Sequence, residues 1–203
     1  MNIAIIGATG NVGTRLTDEA LRRGHSVTAL ARQASKLPAR DGVTTRDVDV
    51  ANTESLAQAL HGSDIVISTV RFLQTSAAQI VGAVKAAGIK RLLVVGGAGS
   101  LYVAPGVQLV DTPGFPDAYK AEASAGRDFL NALREEAQLD WTFLSPSALF
   151  TPGERTGKFR LGHDELLTAA DGKSSISMED FAMAMLDEIE QPKHTRERFT
   201  VGY

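Results

Sequence analysis

The stretch Gly7-Ala8-Thr9-Gly10-Asn11-Val12-Gly13 decides the fold of this chain. It follows a short apolar run, Ile3-Ala4-Ile5-Ile6, and leads into a segment of helical period. In such a strand-to-helix junction the first glycine permits a tight turn, the second lets backbone approach a pyrophosphate, and the third allows close helix packing. The helix N-terminus then offers unpaired N–H groups to the anion. The stretch therefore predicts a dinucleotide-binding loop rather than a simple turn.

Short apolar runs alternate with longer segments of helical period over the first 145 residues, as is typical of β-α-β units. Several runs contain no alternating polar residues, which indicates strands buried on both faces. The expected strands cover residues 2–6, 26–30, 43–47, 64–70, 90–96 and 140–145. The expected helices cover residues 11–23, 53–60, 76–87 and 118–137. We predict an α/β fold, a doubly wound parallel sheet (Rossmann) with strand order 3-2-1-4-5-6.

The length of 203 residues fits one domain, residues 1–203, at about 150 residues per domain. The pattern loosens after Ser145, and we expect residues 146–203 to include a small irregular segment on the substrate side. Within it a helix is expected from about Met178 to Glu190, capped by Ser177. A last short strand is expected over residues 198–202.

The composition excludes several classes of protein. With 21 basic and 24 acidic residues the net charge is −3, so neither nucleic acid nor a membrane surface is an expected partner. The absence of cysteine removes disulfides, thiolate metal sites and cysteine nucleophiles. The four histidines lie far apart in the sequence, so no metal site is expected. No signal peptide is expected at the N-terminus, and we expect a cytoplasmic protein.

The end of the second strand indicates which dinucleotide is bound. Arg32 stands where proteins that bind NAD usually carry an acidic residue for the ribose hydroxyls, and Lys36 is close by. A guanidinium suits a 2′-phosphate, so we expect NADP(H) to be preferred, with NAD(H) also possible. The alternative is that Arg32 is an ordinary solvated loop cation.

Other cofactor contacts are expected at the carboxyl ends of the strands, where open α/β sheets bind ligands. Asp47 and Val48 would bracket the adenine. The remaining expected cofactor-binding residues are Gly7, Thr9, Gly10, Asn11, Val12, Gly13, Ser68, Thr69, Val70, Gly96, Gly97, Ala98, Lys120, Pro146 and Ser147.

These residues resemble the short-chain dehydrogenase/reductase superfamily in its atypical branch. The match rests on the glycine spacing, on Arg32, on Asp47-Val48 and on a Ser-Pro after the sixth strand. More narrowly, the chain resembles the bacterial NADH-flavin reductase group, which is similar to biliverdin-IXβ reductase and NmrA-like proteins. The motifs that carry this are Val95-Gly96-Gly97-Ala98-Gly99-Ser100-Leu101, Asp111-Thr112-Pro113, Phe115-Pro116, Trp141-Thr142-Phe143, Ile176-Ser177 and Arg198-Phe199-Thr200-Val201-Gly202-Tyr203. The resemblance implies an NAD(P)H-dependent oxidoreductase with flavin as a possible exchangeable substrate.

The sequence lacks the Tyr-x-x-x-Lys pair of the best-known branch of that superfamily, since the residue four places after Tyr119 is Ala123. Hydride transfer to a planar, flavin-like small-molecule acceptor fits this inventory, because such a ring can take its proton from water. Ser100 and Tyr119 are the candidate catalytic residues; each could instead be an ordinary turn or half-buried side chain. Two alternatives remain open: an NADP(H)-sensing regulator of the NmrA-like type, and a reductase or epimerase of a carbonyl or sugar-type substrate.

Overall fold

Strands and helices alternate along the chain in the computed structural model, which describes residues 1–203. The strands are β1 (Asn2–Ile6), β2 (Ser26–Ala31), β3 (Val43–Asp47), β4 (Ile65–Ser68), β5 (Arg91–Val95), β6 (Tyr102–Ala104), β7 (Val107–Gln108), β8 (Asp140–Pro146), β9 (Leu149–Thr151), β10 (Arg160–Gly162), β11 (Ser175–Ser177) and β12 (Glu197–Gly202). The helices are α1 (Asn11–Arg22), α2 (Thr53–Leu60), α3 (Ala77–Ala86), α4 (Asp117–Arg134) and α5 (Met178–Glu190).

The main sheet has eight strands in the order β10-β12-β8-β5-β4-β1-β2-β3. All neighbours are parallel except β10, which pairs antiparallel with β12 at the edge. Since β8 is the sixth strand expected from the sequence, the predicted doubly wound order 3-2-1-4-5-6 is confirmed. The last strand, β12, extends this sheet beyond β8.

The core lies on both faces of the sheet, as the unbroken apolar runs indicated. Ile3 and Ile5 of β1 point to one face, where α1 and α5 supply Leu16 and Phe181. Ala4 and Ile6 point to the other, which is covered by α2, α3 and α4. This alternation is the two-residue period of a strand. The carboxyl ends of the parallel strands therefore share one rim of the sheet.

The ends of several helices follow from local chemistry. Gly24 and Gly88, just after α1 and α3, have positive φ values of 79° and 75°, which glycine adopts without steric cost. Ser76 forms a reciprocal capping box with Gln79 at the start of α3. The Ser177 side chain accepts a hydrogen bond from the backbone N–H of Asp180, as the sequence predicted for α5.

The structure adds short strands that the sequence pattern did not predict. β6 and β7 form a hairpin, and β9 pairs with β11 in a separate two-stranded sheet. The chain after Pro146 also supplies α5, whose apolar side chains join the core beside α1. No helix combines the length and the apolar character that crossing a bilayer would require.

Candidate functional site

A cavity of about 830 Å³ opens at the carboxyl ends of β1, β2, β3 and β4. This is the rim where doubly wound sheets bind nucleotides. Seven of the expected cofactor-binding residues line it: Gly7, Thr9, Gly10, Arg32, Val48, Thr69 and Val70. We refer to it as the first cavity.

The glycine loop leaves β1 in a conformation that only glycine tolerates. Gly7 has a φ of +87°, and a Cβ built there would lie 2.4 Å from Thr69 Oγ1. That hydroxyl donates to the carbonyl oxygens of Ile6 and Gly7, at 2.9 and 3.1 Å. The backbone N–H groups of Gly7 and Ala8 both donate to the Leu30 carbonyl oxygen. The loop is thus fixed between β2 and the residue that follows β4.

Helix α1 begins beside the first cavity without a capping side chain. Its N-cap residue is Gly10, no side chain bonds to its first N–H groups, and its first turn has no acidic residue. Gly10 lines the cavity, while Asn11, Val12 and Gly13 form the first turn of α1 and do not. Unpaired N–H groups at a helix N-terminus attract anions. These residues fit a dinucleotide pyrophosphate.

Arg32 lies just past the end of β2, exposed at the cavity and with no hydrogen-bond or ion-pair partner in the protein. Lys36 is nearby but does not line the cavity; its ammonium donates to Gln33 Oε1 at 3.0 Å. Gln33 does line it. A free guanidinium at this point suits a phosphate on the adenosine ribose.

The structure does not bring Asp47 into the cavity. Its carboxylate accepts hydrogen bonds from Ser35, at 2.8 Å from the backbone N–H and 2.6 Å from the hydroxyl. The hydrogen bond from the Ser35 hydroxyl, followed by that from its N–H group, holds the pKa of Asp47 below its ordinary value. Asp49 lines the cavity instead, beside Val48. The sequence analysis missed Asp49, although it also follows β3.

A second cavity of about 490 Å³ lies at the carboxyl end of β5. The loop after β5 and the first turns of α4 form most of its wall. Of the expected site residues, those that line it are Gly96, Gly97, Ala98, Ser100 and Tyr119. Apolar and small residues make up most of the rest of the wall, among them Phe72, Leu109, Phe115, Ala148 and Leu149, and Thr112, Glu122 and Arg127 also line it. A planar apolar molecule fits such a lining.

Ser100 is buried, with 3% of its surface exposed, and its hydroxyl accepts a hydrogen bond from Arg198 at 3.3 Å. Arg198 comes from β12 at the far end of the chain and is itself buried. Burial holds the pKa of Arg198 below its ordinary value, while the ion pair with Asp164 opposes that effect. An arginine stays charged in proteins, so a cation lies directly behind the Ser100 hydroxyl.

Tyr119 is 66% exposed and makes no side-chain hydrogen bond at the cavity wall. Lys120 is exposed and lines neither cavity. Ser68 is buried within β4, Pro146 ends β8, and the Ser147 hydroxyl donates to the Val201 carbonyl oxygen at 3.0 Å. The structure therefore gives these last three residues positions within the fold rather than on either cavity wall.

The two cavities meet at Arg71 and Phe72 in the loop after β4, two residues that the sequence analysis did not name. Arg71 lines the first cavity and Phe72 lines the second. The Glu122 carboxylate accepts from the Phe72 N–H at 2.7 Å, and a Cβ at Gly126 would lie 2.9 Å from the Phe72 ring. Phe72 also packs at 5.2 Å from Phe129, ring centre to ring centre. Helix α4 therefore fixes the partition between the cavities.

The first cavity has the placement of a dinucleotide cleft, and the second cavity lies beside it. Over residues 7–192 the chain matches the family model described as NAD(P)H-binding. A solved structure from Burkholderia pseudomallei, described as a candidate exported protein, is 48% identical with a TM-score of 0.90, and the match covers 100% of both chains. Because that relative is described as exported, the cytoplasmic location stays an expectation.

Two further solved structures carry functional descriptions. A candidate epimerase from Bacteroides thetaiotaomicron is 42% identical with a TM-score of 0.94, over 100% of this chain and 96% of that one. A candidate NADH-flavin reductase from Streptococcus pneumoniae is 35% identical with a TM-score of 0.86, over 100% of this chain and 99% of that one. The resemblance drawn from the sequence motifs is confirmed by these similarities.

Proposed function

We propose that this chain, which belongs to the NAD(P)H-binding family, is a reductase that uses NADPH to reduce a planar, flavin-like acceptor. The observation that carries the proposal is that two cavities with different linings meet at the consecutive residues Arg71 and Phe72. One offers an open helix N-terminus and a free guanidinium, and the other offers a wall made mostly of apolar and small residues. The first suits a phosphorylated dinucleotide, and the second suits a flat ring system placed next to it.

The residues of the first cavity would hold the cofactor. The N-terminus of α1 at Gly10 binds the pyrophosphate, and Arg32 binds the 2′-phosphate. Val48 and Asp49, which line the same cavity, would contact the adenine. When bound, NADPH supplies a hydride, and the protein contributes orientation, burial and electrostatics. Phe72 and the loop after β5 hold the acceptor and exclude water from it.

The residues available at the second cavity indicate which class of acceptor fits. No Tyr-x-x-x-Lys pair is available to protonate a carbonyl oxygen, because Ala123 stands four residues after Tyr119. A ring system such as a flavin takes its proton from water after hydride arrives. The description of the Streptococcus pneumoniae relative as a candidate NADH-flavin reductase supports the same acceptor class.

The test is NADPH oxidation by the purified protein, without oxygen, with a panel of acceptors. FMN, FAD, riboflavin, quinones and biliverdin represent planar acceptors, and aldehydes, ketones and nucleotide sugars represent the carbonyl alternative. We expect oxidation with the planar group alone. Turnover confined to carbonyl compounds would favour a carbonyl reductase. Conversion of a nucleotide sugar into its epimer would favour an epimerase. Tight NADPH binding without turnover of any acceptor would favour a sensor.

A matched variant shows whether turnover comes from this site. Gly10→Val places a side chain where the pyrophosphate would lie, and Gly10 has a φ of −76° that valine can adopt. We expect Gly10→Val to lose both NADPH binding and turnover. Gly82→Val in α3 is the control, because an added Cβ there meets only the Thr53 side chain at 3.8 Å and Gly82 lines neither cavity, so it should retain NADPH binding and turnover.

A further inference from the structure

The Arg198 guanidinium donates two hydrogen bonds to one residue of the second cavity, Ser100. Its Nη1 donates to the Ser100 hydroxyl and its Nη2 donates to the Ser100 carbonyl oxygen, each at 3.3 Å. Its Nε donates to Asp164 Oδ1 at 2.7 Å. Only 1% of the Arg198 side chain is exposed, whereas 45% of the Asp164 side chain is exposed. The cation is therefore fixed behind Ser100, and its counterion lies partly in solvent.

The Ser100 hydroxyl differs from the other buried hydroxyls nearby. Those of Thr142, Ser147 and Thr200 donate to backbone carbonyl oxygens, at 2.6, 3.0 and 2.8 Å. The Ser100 hydroxyl accepts from Arg198 and has no acceptor in the protein for its own hydrogen. Ser145 also accepts from Arg198, at 3.3 Å, but it does not line the second cavity. Ser100 is therefore the buried hydroxyl on this wall that can offer a hydrogen bond to a molecule bound there, whereas Tyr119 is 66% exposed.

We propose that Arg198 is a positioning residue that fixes the Ser100 hydroxyl as a hydrogen-bond donor to the negative charge developing on the reduced acceptor. The inference rests on the proposed reductase function. It assigns a role to the last strand, far in sequence from the glycine loop. It also narrows the substrate class to acceptors that become anionic at an oxygen or nitrogen when they receive hydride.

The charge balance of the step explains why this contact matters. The acceptor gains a hydrogen and two electrons from the dihydronicotinamide, the donor C–H bond breaks, and one negative charge appears on the acceptor. Ser100 keeps its proton and stabilises that charge through a hydrogen bond. Because Ser100 Oγ already accepts from a cation, its O–H group is polarised and donates more strongly. Water then supplies the neutralising proton.

A double-mutant cycle between Ser100→Ala and Arg198→Met tests the inference. A lost hydrogen bond to a charged group corresponds to a fall in kcat of about tenfold, and we expect that from each single variant. The double variant should be no slower than either single one, because Arg198 acts through Ser100.

Binding of the acceptor should change much less than kcat, because the oxidised acceptor is uncharged at the reacting ring. The Kd of riboflavin with NADP+ present, and the Kd of NADPH, should therefore change less than twofold.

Arg134→Met is the matched control. Arg134 lies 3.7 Å from the same Asp164 carboxylate but does not contact Ser100, so kcat should stay unchanged.

If Arg198→Met does not fold, the cycle is run with Arg198→Lys, whose ammonium cannot bind Ser100, Ser145 and Asp164 at the same time. If the two effects multiply, so that the kcat of the double variant falls by about a hundredfold, the inference is wrong. It is also wrong if the affinity for riboflavin falls by the same factor as kcat. A wild-type protein that reduces no acceptor would instead overturn the proposed function.

Discussion

A Cβ built on Gly13 would lie 2.3 Å from the carbonyl oxygen of Gly7. The same atom would lie 2.7 Å from the Cα of Ala8, so both neighbours are backbone and cannot turn away. The first turn of α1 thus packs directly on the loop that leaves β1. The third glycine of the motif serves this packing, while Gly7 and Gly10 line the first cavity.

Gly13→Ala should therefore destabilise the fold. Overpacking of this kind costs about 1–3 kcal/mol, measured as the free energy of unfolding in urea. Gly82→Ala in α3 is the matched control, since its Cβ would lie 3.8 Å from the Thr53 side chain, an ordinary contact. Alanine in a helix interior is favoured over glycine, so the control should gain about 0.5–1 kcal/mol. Equal effects of the two substitutions would refute this packing argument.

Arg32→Ala should change the preference between cofactors. Loss of a guanidinium contact to a phosphate in an exposed site costs about 1.5–3 kcal/mol, which corresponds to a tenfold to hundredfold rise in the Kd of NADPH. NADH lacks that phosphate, so its Kd should change little. Arg40→Ala is the control, because Arg40 pairs with Asp18 and lies outside the first cavity. Equal weakening of NADPH and NADH would count against 2′-phosphate recognition.

Tyr119→Phe should lower turnover only modestly. The ring is 66% exposed and its hydroxyl makes no hydrogen bond within the protein. Loss of a general acid lowers turnover by about 10²–10⁴-fold, and a flavin-like acceptor does not need one. Steady-state turnover with riboflavin measures the effect. A loss in that range with NADPH affinity unchanged would return the carbonyl-reductase alternative to first place.

The buried carboxylate of Glu19 in α1 makes the stability of the fold depend on pH in the acid range. It is 3% exposed and accepts hydrogen bonds from Arg155 at 2.8 and 2.9 Å and from Arg23 at 2.8 Å. The Arg155 hydrogen bonds, helped by Arg23 and opposed by burial, hold its pKa below the ordinary 4.5. A lowered folded-state pKa means that its stabilisation is present above pH 4.5 and is lost as pH falls through the folded-state value.

Thermal unfolding between neutral and acid pH measures this contribution. Glu19→Gln should be less stable than the wild type at neutral pH, and the difference should shrink as the pH falls below 4.5. Glu54→Gln is the control, since Glu54 lies in the first turn of α2 and makes no ion pair. A difference that stays constant with pH would show that Glu19 acts through packing rather than charge.

The sheet order and most element ends could be predicted because they follow from patterns local in sequence. The apolar run of β1, the glycine loop and the Ser177 cap each act within a few residues. β6, β9 and β10 could not, because a three-residue strand has no measurable period and its partner lies elsewhere in the chain. The same holds for Arg198, whose contact with Ser100 spans 98 residues.

Residues of the candidate site could be predicted where a single strand or loop places them. They could not be predicted where their position depends on contacts between several elements. Gly7, Thr9, Gly10 and Arg32 each follow a single strand and line the first cavity, and their binding of a cofactor stays a prediction. Asp47 does not, because a hydroxyl twelve residues away, that of Ser35, binds its carboxylate. Phe72 was missed because its place depends on Glu122 and Gly126 of α4.

A single anaerobic turnover of the protein with NADPH and riboflavin, followed by absorbance, tests the proposed reductase function. We expect one riboflavin to be reduced for each NADPH oxidised, and more slowly when the transferred hydrogen of the nicotinamide is deuterium. Gly10→Val should abolish the reaction. Saturating NADPH binding with no reduction of riboflavin, FMN or any other planar acceptor would show that the protein is not this reductase.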